Sequence, residues 1–313
     1  MLGEKMVEHS SQVLETLRKV PGFENLDNVL SITRLGGLTN LVHRVDLTER
    51  SVIVRIPGQG TEDYIDRNVE AYNANAASKA GVSPNVIFVE PSTGIMISDA
   101  VLDIETMTPK LFKERQGSPF RAGEALAKLH NSGQDFKFRF ELFSMIDDYL
   151  KIVSTKDVNL PSGYQEVVSA AEPIKKLLAN KALPLAPCHC DPLCENFLDD
   201  GEKMWIVDWE YSGMNDPLWD VGDLSVEAGM TADQDAEMML AYFGREPTAA
   251  ENGRMIIYKA MCDLLWTLWG LIQHADNNPA EDFWAYSTGR FDRCKLLMSG
   301  SDFQKHLAAV RDE

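Results

Sequence analysis

The chain has 313 residues, of which 44% are hydrophobic, and its formal net charge at pH 7 is -18. This length and composition are those of a soluble globular protein with one or two domains. The acidity argues against nucleic acid or an anionic membrane surface as the main partner, because both are bound through basic patches. It is compatible with a cationic substrate, although a solubilising surface accounts for most charge of this kind.

The first hundred residues predict a helix, a sheet and a second helix. Apolar spacing over 6–20 is typical of an amphipathic helix, which ends at Pro21-Gly22. Residues 61–80 predict another helix, which carries Glu70 and ends at Gly81. The β-like runs lie at 29–35, 41–47, 51–56, 86–90 and 95–98.

Two features of this segment indicate a site for an anion. Gly36-Gly37 separates the first two strands, and Thr39 and Asn40 follow it. Glycines allow backbone amides to approach a phosphate closely, although a Gly-Gly pair is also common in ordinary turns. Arg55 lies inside an apolar strand and needs an acidic partner, for which Glu70 is the nearest candidate along the chain. The alternative for Arg55 is a side chain that extends from the exposed face of the sheet.

From about residue 100 the sequence changes to amphipathic helices joined by polar linkers. The predicted helices include 120–131, 141–153, 164–180 and 251–275. The change near Ser98-Asp99-Ala100 predicts a lobe boundary, with one lobe over 1–99 and another over 100–313. Lys259 and Asp263 interrupt the most apolar helix, so we expect no membrane-spanning segment.

The stretch 187–213 carries most of the chemistry. It contains Asp191, then Asn196, and Asp208 at the end of an apolar run that follows the turn Asp199-Asp200-Gly201. Two carboxylates and an amide oxygen suit a phosphate-bound Mg²⁺, because hard cations prefer oxygen ligands. The stretch therefore favours a phosphotransferase centre. Ordinary roles, a turn aspartate for Asp191 and a strand-end cap for Asp208, are the alternative.

The chain has five cysteines, an odd number, and its first residues lack the apolar core of a signal peptide. We therefore expect free thiols and a cytoplasmic location. Cys188, His189, Cys190 and Cys194 resemble a zinc cluster, but no second pair of ligands follows, so buried thiols packed along a strand are favoured instead.

The complete pattern resembles the aminoglycoside phosphotransferase and choline kinase group of the protein-kinase-like superfamily, and most closely the choline/ethanolamine kinases. The matching motifs follow the family's order over roughly residues 30–295. They are GGLTN at 36–40, VIVRIPG at 52–58, Glu70, HCDPLCEN at 189–196, VDWEYSG at 207–213, DPLWDVGDL at 216–224 and WTLW at 266–269.

The resemblance implies an α+β, bilobal protein-kinase-like fold, with an N-terminal antiparallel sheet and a larger, mainly helical C-terminal lobe. It implies ATP and Mg²⁺ as cofactors. Asp191 would be the catalytic base, and Asn196 and Asp208 would bind the metal. The nucleotide would be bound by Gly36, Gly37, Thr39, Asn40, Arg55 and Glu70, while His189 and Asp220 would support the catalytic loop.

The family's choline pocket implies a substrate site in the C-terminal half. Beside Asp191 itself, it corresponds here to Tyr211, Glu227, Trp266, Trp269 and Tyr286. Aromatic faces and a nearby negative charge suit a quaternary ammonium group, which cannot donate hydrogen bonds. Without the resemblance, Trp266 and Trp269 would read as core residues of a buried helix. One departure concerns Ala228-Gly229-Met230, where eukaryotic choline kinases carry further aromatic residues.

The function that these residues favour is phosphorylation of choline to phosphocholine. The alternatives are a kinase for ethanolamine, an amino sugar or an aminoglycoside, and a non-catalytic nucleotide-binding pseudokinase. The pseudokinase is disfavoured because Arg55, Glu70, Asp191, Asn196 and Asp208 are all present.

Overall fold

The computed structural model describes residues 11–35, 40–58 and 65–313. Its N-terminal part contains one antiparallel sheet of five strands, in the order β1-β2-β3-β5-β4. The strands are β1 (Val29–Arg34), β2 (Asn40–Leu47), β3 (Ser51–Pro57), β4 (Val86–Glu90) and β5 (Ile95–Asp99). Helix α1, described over residues 11–18, precedes the sheet, and α2 (Arg67–Lys79) lies between β3 and β4.

The sheet buries one face against α1. Alternate positions of the strands, among them Val45, Val52 and Val54, are fully buried together with Val13 and Leu17 of the helix. This alternation is what a sheet with one covered face requires. Helix α2 is shorter than the predicted 61–80, because Asp66 caps it and accepts hydrogen bonds from the next turn. Residues 61–64 lie outside the described part of the chain.

The C-terminal part is mainly helical, with short strands that hold the central loops. The helices are α3 (Pro109–Glu114), α4 (Ser118–His130), α5 (Leu142–Ser154), α6 (Tyr164–Asn180), α7 (Leu218–Ala228), α8 (Ala232–Phe243), α9 (Ala249–Ala275), α10 (Phe283–Ser299) and α11 (Phe303–Asp312). One small sheet joins β6 (Glu105–Thr106), β8 (Phe197–Asp199) and β9 (Met204–Ile206), and another joins β7 (Ala186–Cys188) to β10 (Gly213–Asn215). The α+β class, with its N-terminal antiparallel sheet, is confirmed.

Helix α9 forms the centre of this part and contacts α5, α6, α7, α10 and α11. By length and composition it could cross a membrane, but 78% of its most apolar window is buried inside the protein. A core helix of a soluble protein passes the same test. All five cysteines are free and buried, as expected.

The described side chains form two hydrophobic clusters, and their border does not coincide with residue 99. Ala74, Ala76 and Ala77 of α2 belong to the large cluster of the C-terminal part, although α2 precedes the proposed boundary. Asn73 on the same helix donates to the carbonyl oxygen of Ser212 at 2.9 Å. Helix α2 therefore joins the two parts, and the division at 99/100 stays a prediction.

Candidate active site

Strand β7 leads directly into the loop that carries Asp191. Cys190 has a φ of +67°, a left-handed conformation that costs free energy for a residue with a side chain. The buried carboxylate of Asp220 stabilises this turn by accepting hydrogen bonds from the backbone N–H groups of His189, at 2.6 Å, and Cys190, at 2.8 Å. Asp220 also lies 3.0 Å from the imidazole of His130. The loop is thereby held in one conformation.

His189 ties this loop to the segment that carries Asp208. Its Nε2 lies 2.9 Å from the carbonyl oxygen of Val207, which can only accept, so Nε2 carries the proton. Burial lowers the pKa of His189, which keeps the ring neutral. His189 and Asp220 thus make the supporting contacts that the resemblance implies.

Asp191 lies at the tip of the loop, half-buried. The side-chain NH₂ group of Asn196 donates to the backbone carbonyl of Asp191 at 3.1 Å. The side-chain oxygen of Asn196 can act only as an acceptor or as a metal ligand. Burial, together with the charges of Glu227 and Asp208, raises the pKa of Asp191 to about 8. A carboxyl group with a pKa in this range is suited to general base catalysis near neutral pH.

Asp208 follows β9 and also has a left-handed backbone, with a φ of +69°. Its Oδ1 is buried and accepts no hydrogen bond from the part of the chain that the structure describes, and Arg55 Nη1 lies 3.6 Å from it. Burial and the neighbouring Glu210 raise the pKa of Asp208 above the usual range. The carboxylates of Glu70 and Glu210 lie close to that of Asp208, and carboxylate oxygens are ligands that a hard divalent cation prefers.

A network of ion pairs connects the sheet to this segment. Arg55 on β3 pairs with Glu70 on α2, the partner expected from the chain order. Arg67 Nη1 lies 2.7 Å from both Glu70 and Glu210, and Asn40 Nδ2 donates to Glu210 at 3.0 Å. Arg55 and Glu70 are largely buried, so each needs the opposite charge of the other to offset the cost of its burial. Gly36, Gly37 and Thr39, also predicted for this site, lie outside the described residues.

Four aromatic side chains form a second cluster. The ring of Trp266 lies 5.9 Å from that of Tyr211 and 6.5 Å from that of Trp269, whose ring lies 5.9 Å from that of Tyr286. Trp266 is buried, whereas the other three rings are partly exposed. Gly270 makes this approach of α9 and α10 possible, because a Cβ there would lie 2.6 Å from Tyr286. The structure brings the predicted aromatic residues together.

Glu227 lies near this cluster but already has a partner. Arg290, which is 4% exposed, pairs with Glu227 and, at 3.2 Å, with Asp263. The guanidinium of Arg290 also lies over the ring of Tyr286, 4.5 Å from its centroid. One face of Tyr286 and the charge of Glu227 are therefore engaged by the protein itself.

Several residues of the site were not identified from the sequence. Glu210 falls inside the motif VDWEYSG, so its acidic character was visible, but its pairing with Arg67 was not. Arg290 lies outside the matching motifs. Asp223 lies in the motif DPLWDVGDL, next to Glu227 on the same helix face, and received no role.

Comparisons with known proteins identify the family of the chain. The family model "Choline/ethanolamine kinase" matches residues 32–242. The crystal structure of a choline/ethanolamine kinase family protein from Mesorhizobium loti is 57% identical, covers 97% of this chain and 100% of its own, and has a TM-score of 0.90.

Two further relatives differ in the substrate that their names state. Choline kinase LicA from Streptococcus pneumoniae is 26% identical, with 98% of this chain and 99% of its own covered and a TM-score of 0.74. A structure of LicA in complex with AMP has a TM-score of 0.70, at 26% identity over 95% of this chain and 98% of its own. Human ethanolamine kinase 1 is 25% identical over an alignment that covers 78% of this chain and 61% of that protein.

The family model covers more than half of the chain, and the site contains the acidic, amide and aromatic residues that the family resemblance implied. The protein therefore belongs to the choline/ethanolamine kinase family and is a phosphotransferase with an alcohol acceptor.

Proposed function

We propose that the protein transfers the γ-phosphoryl group of ATP to the hydroxyl group of choline, in a Mg²⁺-dependent reaction that gives phosphocholine. The observation that supports choline is the cluster of Tyr211, Trp266, Trp269 and Tyr286, whose member Tyr286 lies close enough to Glu227 and Asp191 to interact with their charges. ATP as the donor is supported by the family and by the AMP complex of LicA.

Asp191 is the proposed base. Its carboxylate accepts a hydrogen bond from the substrate hydroxyl and takes the proton as the new bond to phosphorus forms. Transfer of a phosphoryl group depends mainly on positioning and charge stabilisation, so the base serves chiefly to orient the attacking oxygen. The hydrogen bonds of Asp220 to the loop hold Asp191 in place for this step.

Asn196 and Asp208 are the proposed metal ligands. A bound Mg²⁺ neutralises the charge of the nucleotide phosphates. The oxygen donors fit a hard cation, and the strongest indication is the buried Oδ1 of Asp208, which accepts no hydrogen bond from any described residue. The nearby carboxylates of Glu70 and Glu210 increase the negative potential at this position.

Arg55 is the proposed contact to the nucleotide phosphates, and Glu70 orients it. The pair is buried, so the guanidinium has little freedom to turn away, which lowers the entropic cost of binding phosphate. Asn40, and beyond the described residues Gly36, Gly37 and Thr39, complete the proposed nucleotide site.

The choline headgroup is proposed to bind against the aromatic cluster. Each contact between a cation and an aromatic face contributes about 0.5 to 2 kcal/mol. The carboxylates nearby are engaged by donors of the protein, since Glu227 and Asp263 pair with Arg290, and Asp223 accepts from Trp266 and Cys262. A headgroup without N–H groups suits such a pocket, whereas an ammonium group needs acceptors for its three donors.

Ethanolamine is the second candidate, because relatives named for it match the chain over a similar length. Its smaller ammonium group would require carboxylate oxygens that the protein's own donors leave free. The need for hydrogen-bond acceptors therefore distinguishes the two candidates, because ethanolamine donates hydrogen bonds through its ammonium group and choline does not.

A coupled assay of ADP release with purified protein, ATP and Mg²⁺ tests the proposal. The acceptors compared are choline, ethanolamine, thiamine, hexosamines and aminoglycosides. We expect the highest kcat/KM with choline. A higher value with ethanolamine would transfer the assignment to that substrate, and no acceptor-dependent release with any compound would overturn the proposal.

A further inference from the structure

Asp223 is a buried carboxylate next to the aromatic cluster that the reaction described above does not use. It lies on α7, one helical turn before Glu227, and is only 1% exposed. Its Oδ2 accepts from the indole N–H of Trp266 at 3.4 Å, and its Oδ1 lies 2.8 Å from the sulfur of Cys262. Both donors come from α9, the helix that carries the aromatic pair.

Asp223 differs from its acidic neighbours in its ion-pair partners. Glu227 and Asp263 share Arg290, and Asp263 also pairs with Arg293 at 2.6 Å. Among residues 11–35, 40–58 and 65–313, no basic side chain forms an ion pair with Asp223. A buried carboxylate without a cationic partner is costly, and a cation that enters the neighbouring pocket reduces this cost.

The contact with Trp266 gives this charge a route to the substrate. A carboxylate that accepts a hydrogen bond from the indole N–H holds the orientation of the ring and makes the indole face more negative. The same indole contacts Tyr211 on one side and Trp269 on the other. Burial and the neighbouring Glu227 raise the pKa of Asp223, and Arg290 opposes this shift in part. A cation bound at the cluster acts in the same direction as Arg290 and favours the charged carboxylate.

We infer that Asp223 is a positioning and specificity residue of the headgroup pocket, which orients Trp266 and places negative charge beside a bound cationic group, so that a cationic alcohol is favoured over a neutral one. The inference rests on the proposed function, because it assumes that the acceptor's cationic group binds at this cluster. It assigns selection for positive charge to Asp223, whereas the sequence pattern pointed to Glu227.

The test compares choline with dimethylbutanol, the neutral alcohol in which a tert-butyl group replaces the trimethylammonium group. Asp223→Asn keeps the volume and an acceptor for Trp266 but removes the charge. The ratio of kcat/KM for choline to that for dimethylbutanol should fall at least about tenfold, mainly through the KM for choline. The KM for ATP should stay within about twofold, since the nucleotide site is separate.

Asp302→Asn is the matched control, because it removes the same formal charge from an exposed position whose ion pair is with Lys305. Its selectivity ratio should equal that of the wild type. An Asp223→Asn protein with the wild-type ratio, or with equal losses for both alcohols, would overturn the inference, since a purely structural role lowers both rates together.

If Asp223→Asn fails to fold, Trp266→Phe decides, because it keeps an aromatic face and removes the N–H. The inference then requires the KM for choline to rise at least about fivefold, with the KM for ATP unchanged; an unchanged KM for choline overturns it. A wild-type protein that phosphorylates neither choline nor ethanolamine overturns the proposed function and with it this inference. Activity with a wild-type ratio in the variants overturns the role of Asp223 alone.

Discussion

Asp191 and its backbone form the smallest unit on which the proposed reaction depends. The residue before it, Cys190, has a left-handed backbone and is held by Asp220, whose side chain is fully buried. Strained backbone of this kind persists only where surrounding contacts determine it. The hydrogen bonds of Asp220 therefore keep the Asp191 carboxylate at one position. Because the proposed nucleotide site uses other residues, we expect substitutions of Asp191 to affect turnover far more than nucleotide binding.

Asp191→Asn should reduce kcat by about 10²- to 10⁴-fold, the usual contribution of a positioned base. The dissociation constant for ATP should stay within about twofold, because the arginine that is proposed to contact the phosphates lies on β3. Steady-state kinetics and a nucleotide-binding titration measure the two effects. Glu195→Gln, an exposed change four residues later, is the control and should behave as wild type. Retained turnover in Asp191→Asn would show that another group is the base.

The sequence could predict single residues where one short motif carries the function, and it could not where the function depends on a distant partner. Asp191, Asn196 and Asp208 fall within one stretch whose donor types are informative by themselves. The pairing of Arg290 with Glu227 spans 63 positions, and that of Arg67 with Glu210 spans 143. No local pattern indicates such pairs, which is why the engaged state of Glu227 became visible only in the structure.

At the scale of elements, α9 and α10 together build the proposed headgroup site. Trp266 and Trp269 lie three residues apart on α9, and Tyr286 comes from α10. The close packing at Gly270 sets the distance between these helices. The spacing of the two tryptophans could be predicted from the sequence. The choice between a core role and a pocket role could not, because it depends on their exposure in the folded structure.

Trp269→Ala should raise the KM for choline by about 2- to 30-fold, because it removes one aromatic face from the cation. The KM for ATP should hardly change. Trp284→Ala, which removes a 39% exposed tryptophan from α10, serves as the control and should leave both constants unaltered. Equal increases for choline and ATP would instead indicate that Trp269 acts only in packing.

Helix α2 is the second element with a defined task, since Arg67 holds Glu70 and Glu210 at once. Arg67→Ala leaves two buried carboxylates with fewer partners and should lower the free energy of unfolding by about 3 to 5 kcal/mol, measured by urea denaturation. The exposed pair of Lys151 and Asp148 gives the control. Lys151→Ala should change stability by at most about 1 kcal/mol. Equal effects of the two substitutions would contradict the structural role given to Arg67.

At the scale of the molecule, the sheet and the helical part meet at the proposed nucleotide site. Asn73 contacts Ser212, and the indole N–H of Trp209 donates to Ser83 at 3.1 Å. These contacts, with the pair of Arg67 and Glu210, join the sequence before residue 99 to the stretch after Asp208. The acceptor pocket and the proposed nucleotide site therefore share one short segment, Trp209-Glu210-Tyr211.

The order of strands and helices was predictable because apolar periodicity and turn residues mark most elements locally. The five strands of the sheet and the helix over 164–180 correspond closely to the predicted ranges. The association of α2 with the C-terminal core was not predictable, since small alanine side chains give no sign of which surface they will contact.

The most direct test of the central claim is identification of the product by ³¹P NMR in a mixture of purified protein, ATP, Mg²⁺ and choline. The account predicts that the γ-phosphate signal of ATP is replaced by equal amounts of ADP and phosphocholine. It also predicts that this conversion disappears when choline is omitted. Formation of ADP with inorganic phosphate alone, or no change in the ATP signals with folded protein, would contradict it.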